Sequence, residues 1–508
     1  MVRRSNHHAS GHIIQVQVSE KIVEDEEPGM TQQVRGAVLW RSGSQLFAQV
    51  IMWASTFLVI RILDPRDYGL FAMTQVILVF LSLMNGYGFA NSLIRSPEIG
   101  KREIAQAFGM LILLNGGLSL AQIVLAPVAA AYFRQPMVAD LLRVQAVIYL
   151  ATPFIALQSA LLSRRMDFRS QAKVFLAGAL AGAATALACA LAGWGVWTLV
   201  VASIAMFWTQ AIGMTIAARG LTWPSFRFAG AGAMFRYGSA MVLVQFCWFI
   251  QSQADVFIAG RVLTPHALGV YTTALFLTQI LSNKFIPTLN DVAFAAYSRI
   301  QDRPDAIAAS FLKSIRLISL IAMPFYLGLA AVAEPMVVTV LGPKWVEAVP
   351  LVHLLALAMP FMAFQILFAP ANNALGRSAV TLRTAVIGAT LMPIAFLIGI
   401  RHGSIGMALA WLIAFPLFAI ITAVMCRPVI GFSFGALANA LMPGTLAAAC
   451  MAVGVMLIDG VLPEMAAPAR LAILVVSGVA LYAGLLMLFA RPLVREVADL
   501  AFRRPATA

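Results

Sequence analysis

Gln251 and Asp255 stand four residues apart in one apolar run of the sequence, and Lys284 and Asp291 stand in the next. That spacing puts Gln251 and Asp255 on one face of a helix. A carboxylate or ammonium within a bilayer-crossing segment is costly to bury, and so reads as a functional site. Arg41 and Arg236 each sit about one turn inside the start of a long apolar run, and guanidinium groups fork onto phosphate oxygens. No phosphate-cradling glycine-lysine loop, His-Glu-x-x-His, nucleophile elbow or paired-cysteine spacing occurs. The sequence therefore reads as that of a protein that is not an enzyme and holds no metal or cofactor.

Each candidate has a plainer reading that the residues alone leave open. Lys284 faces a polar cavity or extends its stem to the headgroups. Asp255 binds a ligand or is satisfied by a neighbouring helix. Arg41 and Arg236 hold phosphate or are ordinary anchors at the basic side of a membrane, and Asp291 falls near a helix end. Asp255 lies six residues before Arg261, roughly 9 Å at the helical rise, whereas Lys284 lies roughly 24 Å down its helix, so the two are too far apart to pair simply. The amides Gln45, Gln49, Gln75, Asn85, Asn115, Gln122 and Gln158 read as interhelical hydrogen bonds.

These side chains are positioned by an unusually apolar chain. Of 508 residues 61% are hydrophobic and 11% charged, with a mean hydropathy of +0.88. That much apolar surface needs a bilayer. The expected fold is an all-α polytopic membrane protein of about fourteen transmembrane helices, near 37–60, 69–92, 105–131, 140–162, 172–192, 195–218, 238–260, 268–292, 310–332, 350–374, 379–400, 403–426, 436–458 and 469–490. Residues 1–34 read as a disordered cytoplasmic tail, with Met30 as an alternative start. Residues 35–220 form a first lobe, 232–427 a second, 436–490 two further helices, and 491–508 a cytoplasmic tail. Cys189, Cys247, Cys426 and Cys450 all fall in apolar runs and read as buried small hydrophobes.

The lobes are inferred from a repeat. Arg61–Phe71, RILDPRDYGLF, returns two hundred positions later as Arg261–Tyr271, RVLTPHALGVY. Each copy reads as a hairpin turn in which Pro65 and Gly69, or Pro265 and Gly269, serve the turn while Arg61 or Arg261 anchors it. Six helices per half make parallel repeats about an axis along the membrane normal. In this register Asp255, Lys284 and Asp291 match Ser55, Met84 and Asn91, so the second lobe has charges that the first lacks. Gly178-x-x-x-Gly182 reads as a packing motif. The broken segment 334–350 reads as an outer loop or interfacial helix with Trp345 at headgroup level.

The net charge of +14 would suggest nucleic acid in a soluble domain. In a membrane protein it reads instead as the positive-inside rule. With the N-terminus inside, 26 of the 35 basic residues fall in cytoplasmic segments, which also puts the C-terminus inside.

Several stretches resemble the polysaccharide transporter, or oligosaccharide flippase, family of the multidrug/oligosaccharidyl-lipid/polysaccharide exporter superfamily. They are Arg61–Pro65 running into Tyr68-Gly69, Gly86-Tyr87-Gly88-Phe89 with Ile94-Arg95, Phe294–Asp302, Leu341–Trp345 and Asn373–Arg377. The resemblance covers the chain from about residue 30. It implies alternating access driven by ion or voltage gradients in a bacterial inner membrane. The implied substrate is a polyprenyl-diphosphate-linked glycan of lipopolysaccharide or exopolysaccharide synthesis, and a polymerase/export complex is an implied partner. A basic interlobe cavity built from Arg41, Arg236 and Lys284 would hold the diphosphate. Two alternatives share the architecture: a multidrug cation antiporter, which usually carries an acid in the first lobe, and a peptidoglycan lipid-precursor flippase.

Overall fold

The computed structural model describes residues 51–84, 100–220, 223–226, 232–284, 297, 299–300, 303–489 and 491. All of the regular structure among these residues is helical. The first lobe holds α1 (Ile51–Ile62), α2 (Pro65–Ser82), α3 (Lys101–Phe133), α4 (Met137–Gln145), α5 (Val147–Arg164), α6 (Phe168–Leu191) and α7 (Trp197–Ala217). The second holds α8 (Gly232–Val262), α9 (Pro265–Lys284), α10 (Pro304–Ala331), α11 (Ala333–Val340), α12 (Val349–Gln365), α13 (Phe368–Ala374), α14 (Ser378–Gly399) and α15 (Gly403–Ile430). Two more, α16 (Phe434–Val461) and α17 (Ala467–Phe489), follow.

Nine stretches among the described residues are long and apolar enough to cross a membrane, and one of them, 378–430, contains both α14 and α15. The outward faces are correspondingly greasy. Ile413, Leu457, Val461, Val476 and Leu488 are all largely exposed. Only hydrocarbon accommodates such a surface.

Local chemistry starts and stops these helices. Both repeat turns place proline at the first helical position, where its missing N–H costs nothing. The Asp67 carboxylate accepts the Asp64 N–H in the first turn, and the Thr264 hydroxyl accepts the Ala267 N–H in the second. Asp167 caps α6 by accepting the Ser170 N–H, and Ser433 caps α16 through the Ala436 N–H.

Packing joins the elements through small residues. A Cβ on Gly178 or Gly182 would press on Gln210 or Met206 of α7, so this motif does pack two helices together. Between the lobes, α2 lies along α9. A Cβ built on Gly69 would fall inside the Pro265 carbonyl oxygen, and one on Gly269 inside that of Pro65. Gly69 and Gly269 thus do not serve the turns, as the sequence suggested, but stand inside the first turns of α2 and α9, where the lack of a side chain lets the two helix starts meet backbone to backbone.

Trp345 is fully buried against protein, its ring edge-on to Tyr68 of the first lobe at 5.6 Å, and its indole finds its acceptor in the protein rather than in headgroups. The reading of the four cysteines needs one correction. Cys450 is exposed on the outer side of α16, whereas Cys189, Cys247 and Cys426 are buried.

Candidate functional site

Three features share the lobe interface and the second lobe: a cavity, a buried polar relay and a clasp between the repeat turns. The cavity, about 560 Å³, lies between α1, α2, α6 and α7 on one side and α8 and α9 on the other. Its described walls offer Ser55, Gln75, Gln253, Thr272, Gln279 and Asn283, with the rings of Tyr68, Phe71 and Phe276. No charged side chain lines it among the described residues. Neutral donors and acceptors interleaved with aromatic faces match a ligand rich in hydroxyls and C–H faces.

Gln75 was expected to tie helices together and instead lines this space. Gln122 does behave as expected, its amide donating to the Leu142 carbonyl at 2.7 Å. The two differ in what stands opposite: a neighbouring helix for Gln122, the lobe interface for Gln75.

The relay lies inside the second lobe. Asp255 is fully buried, and its Oδ2 accepts the Tyr271 hydroxyl at 2.9 Å while its Oδ1 accepts the Val256 N–H at 2.7 Å. The Tyr271 oxygen in turn accepts Trp411 Nε1–H of α15 at 2.8 Å. An indole can only donate, so the tyrosine proton is directed at the carboxylate. Gln251 faces the same interior, where its amide abuts Gly388 of α14 and its nitrogen has no hydrogen-bond partner. Ser252, Gln253 and Val256 of the same helix line the cavity, so α8 shows one face to the cavity and another to the relay. Asp255 and Gln251 are brought together as expected, but on the interior face. Opposite Asp255 in the repeat, Ser55 donates to the Ala183 carbonyl at 3.3 Å. Phe71 stands where the second lobe has Tyr271, so the relay has no first-lobe copy.

The remaining expected ligands are placed only in part. Arg236 belongs to α8 and Lys284 ends α9, with side chains outside the described residues. Arg41 and Asp291 lie outside them altogether.

The clasp closes one end of the interface. Trp345 Nε1 donates to the Ile60 carbonyl at 3.0 Å, and Lys344 Nζ reaches the Ile62 carbonyl at 3.2 Å and Asp64 Oδ1 at 2.9 Å. Arg61 donates to the Thr339 carbonyl at 3.2 Å. Its repeat partner Arg261 donates to the carbonyls of Ala131 and Tyr132 at the end of α3, and lies over the Tyr132 ring. Each turn arginine thus satisfies carbonyls of the opposite lobe. Lys344 and Trp345 are held by the tight turn at Gly342, whose φ of 101° suits glycine. Sequence reasoning found the turns as anchors but not their mutual grip, because contact between two copies of a motif leaves no trace in either copy.

A model of the polysaccharide biosynthesis protein family matches residues 58–350. The chain belongs to this family. Among its relatives is the succinoglycan biosynthesis transport protein ExoT of Rhizobium meliloti, 25% identical over 69% of this chain and 71% of that protein. Another is the lipopolysaccharide biosynthesis protein WzxC of Escherichia coli, 23% identical over 74% of this chain and 77% of that one. In fold the chain is similar to the lipid II flippase MurJ in an inward closed conformation, with a TM-score of 0.73 at 14% identity, covering 90% of this chain and all of that one. The chain is thus a multi-pass membrane protein of the polysaccharide biosynthesis family, with a succinoglycan transport protein among its relatives.

Proposed function

We propose that the protein translocates polyprenyl-diphosphate-linked oligosaccharide repeat units of lipopolysaccharide or exopolysaccharide across the bacterial inner membrane by alternating access. The observation that carries this reading is the cavity between two lobes, walled by neutral polar and aromatic side chains and closed at one end by the clasp. In it the glycan lies against Gln75, Gln253, Gln279 and Asn283, while the prenyl chain stays in lipid. Arg41, Arg236 and Lys284 hold the diphosphate, and Asp291 contributes to substrate binding. Breaking the clasp opens the cavity to the far side. Coupling to an ion gradient falls to Asp255 and its neighbour Gln251, because Asp255 is an acid buried in the moving second lobe without a cationic partner among the described residues. Fourteen crossings with both termini cytoplasmic complete the arrangement, and a polymerase/export complex receives the product.

A cationic-drug antiporter would need an acid facing the cavity, and the described lining has none. The test is glycan export in a strain deleted for the gene, together with drug susceptibility. Restored export by the intact chain, reduced by Gln279→Ala with Asn283→Ala at equal protein level, supports the reading. A drug phenotype with normal export would sink it.

A further inference from the structure

A second site lies away from the cavity, on the outer side of the first lobe where α5, α6 and α7 end together. Leu162, Val174, Met214 and Ala218 form a small core there that fixes the three ends relative to one another. Between α6 and α7 an open groove of about 510 Å³ runs from Ser170 and Ala217 inward to Ala177 and Thr209. Apart from Lys173, the rest of its walls is apolar, with Val174, Ile212 and Ile216, and Gly213 approaches Val174 so closely that a Cβ would touch it at 2.8 Å. The eight helical steps of α7 from Thr209 to Ala217 span roughly 12 Å at the helical rise. That reaches from the headgroup layer well into the acyl chains.

Cations surround the groove's mouth. Lys173 lines it, is exposed, and makes no hydrogen bond or ion pair among the described residues. Arg164, Arg165, Arg169 and Arg219 occupy the adjoining helix ends, and Arg165 holds them together by donating to the Ala218 carbonyl at 3.1 Å. Among the described residues the nearby acid, Asp167, is engaged with the N–H and hydroxyl of Ser170, which with Lys173 and Arg219 holds its carboxyl below the usual range. An apolar channel, an exposed ammonium one turn in and a surplus of positive charge complement a lipid with an anionic headgroup and an acyl chain.

We propose that this groove binds an anionic glycerophospholipid, with its phosphate at Lys173 and Ser170 and an acyl chain along Val174, Ala177, Ile212 and Ile216. The lipid is an annular ligand of the first lobe, separate from the transported substrate. The site does not depend on the transport reading.

The test uses the full chain purified in detergent, with lipid retention followed by native mass spectrometry after exchange with phosphatidylglycerol, phosphatidylcholine or a polyprenyl phosphate. Retention of one phosphatidylglycerol in preference to phosphatidylcholine is expected, falling about fivefold in Lys173→Gln, the worth of one lysine near an anionic surface. Lys173→Arg keeps binding, and Ala177→Phe, which fills the channel, abolishes it while the gel-filtration profile stays that of the intact protein. If Lys173→Gln and Ala177→Phe both fold and retain as much lipid as the parent, the proposal fails. Equal retention of phosphatidylcholine, or preference for the polyprenyl phosphate, overturns it too.

Discussion

Trp411 fixes the direction of the proton chain that ends at Asp255 in the second lobe. Because the indole donates and cannot accept, Tyr271 must pass its proton toward Asp255, and the carboxylate is held as an acceptor. Tyr271→Phe leaves the indole N–H and the carboxylate each short of a partner, at about 1–3 kcal/mol for each buried orphan. A clear fall in the apparent melting temperature of the detergent-solubilised protein is expected. Asp255→Asn keeps the volume and one acceptor, so it leaves abundance near that of the parent and abolishes glycan export. Export at the parental rate would remove Asp255 from the coupling role. Asp255 stood out in the sequence because a lone acid in an apolar run is conspicuous. Its partners did not, since Trp411 is 140 positions from Tyr271 and both look like ordinary core aromatics. Gln75, which lines the cavity, shows the same limit, since an amide's type does not say what stands opposite it.

Among the elements, the clasp divides into strong and weak parts. Lys344–Asp64 is an exposed pair and contributes at most about 1 kcal/mol. Trp345 is fully buried, and its truncation to alanine costs about 3–5 kcal/mol. Trp345→Ala is therefore expected to open the clasped end and Lys344→Ala to loosen it slightly. A cysteine at Ser55 in a background without the native cysteines reports this, because an impermeant maleimide added outside cells labels it faster in the first variant. Gly69→Val acts in the same direction, since its side chain would enter the backbone of the opposing turn. Equal labelling in all variants would mean the clasp is not the gate. At the far end of the first lobe, Asp167→Ala removes the α6 cap at about 1 kcal/mol. The capping carboxyl titrates below its usual value when folded, so its contribution is present above about pH 4 and disappears as pH falls further. Melting curves of parent and variant should converge in that acid range. Helix placement was legible from apolar run length and from proline and glycine punctuation. The interlobe grip was not, because it depends on how two distant turns meet.

For the whole molecule, the asymmetry of basic residues argues for a single orientation. Reporter fusions at the C-terminus should be active only as cytoplasmic reporters, and those inserted next to Lys344 only as exported ones; the reverse pattern would invert the topology. Two-lobed architecture was legible from the turn repeat together with six apolar runs in each half, while the function drew on several loose motifs in a fixed order rather than on any catalytic constellation. The clasp also has a consequence for the medium in which the protein works. It covers the carbonyls of Ile60, Ile62, Ala131, Tyr132 and Thr339, all of which need water once the lobes part. Opening is therefore a hydration step, and its equilibrium depends on water activity. Osmolytes excluded from the crevice should hold the protein shut and slow glycan export, in proportion to osmotic pressure rather than to their chemical identity.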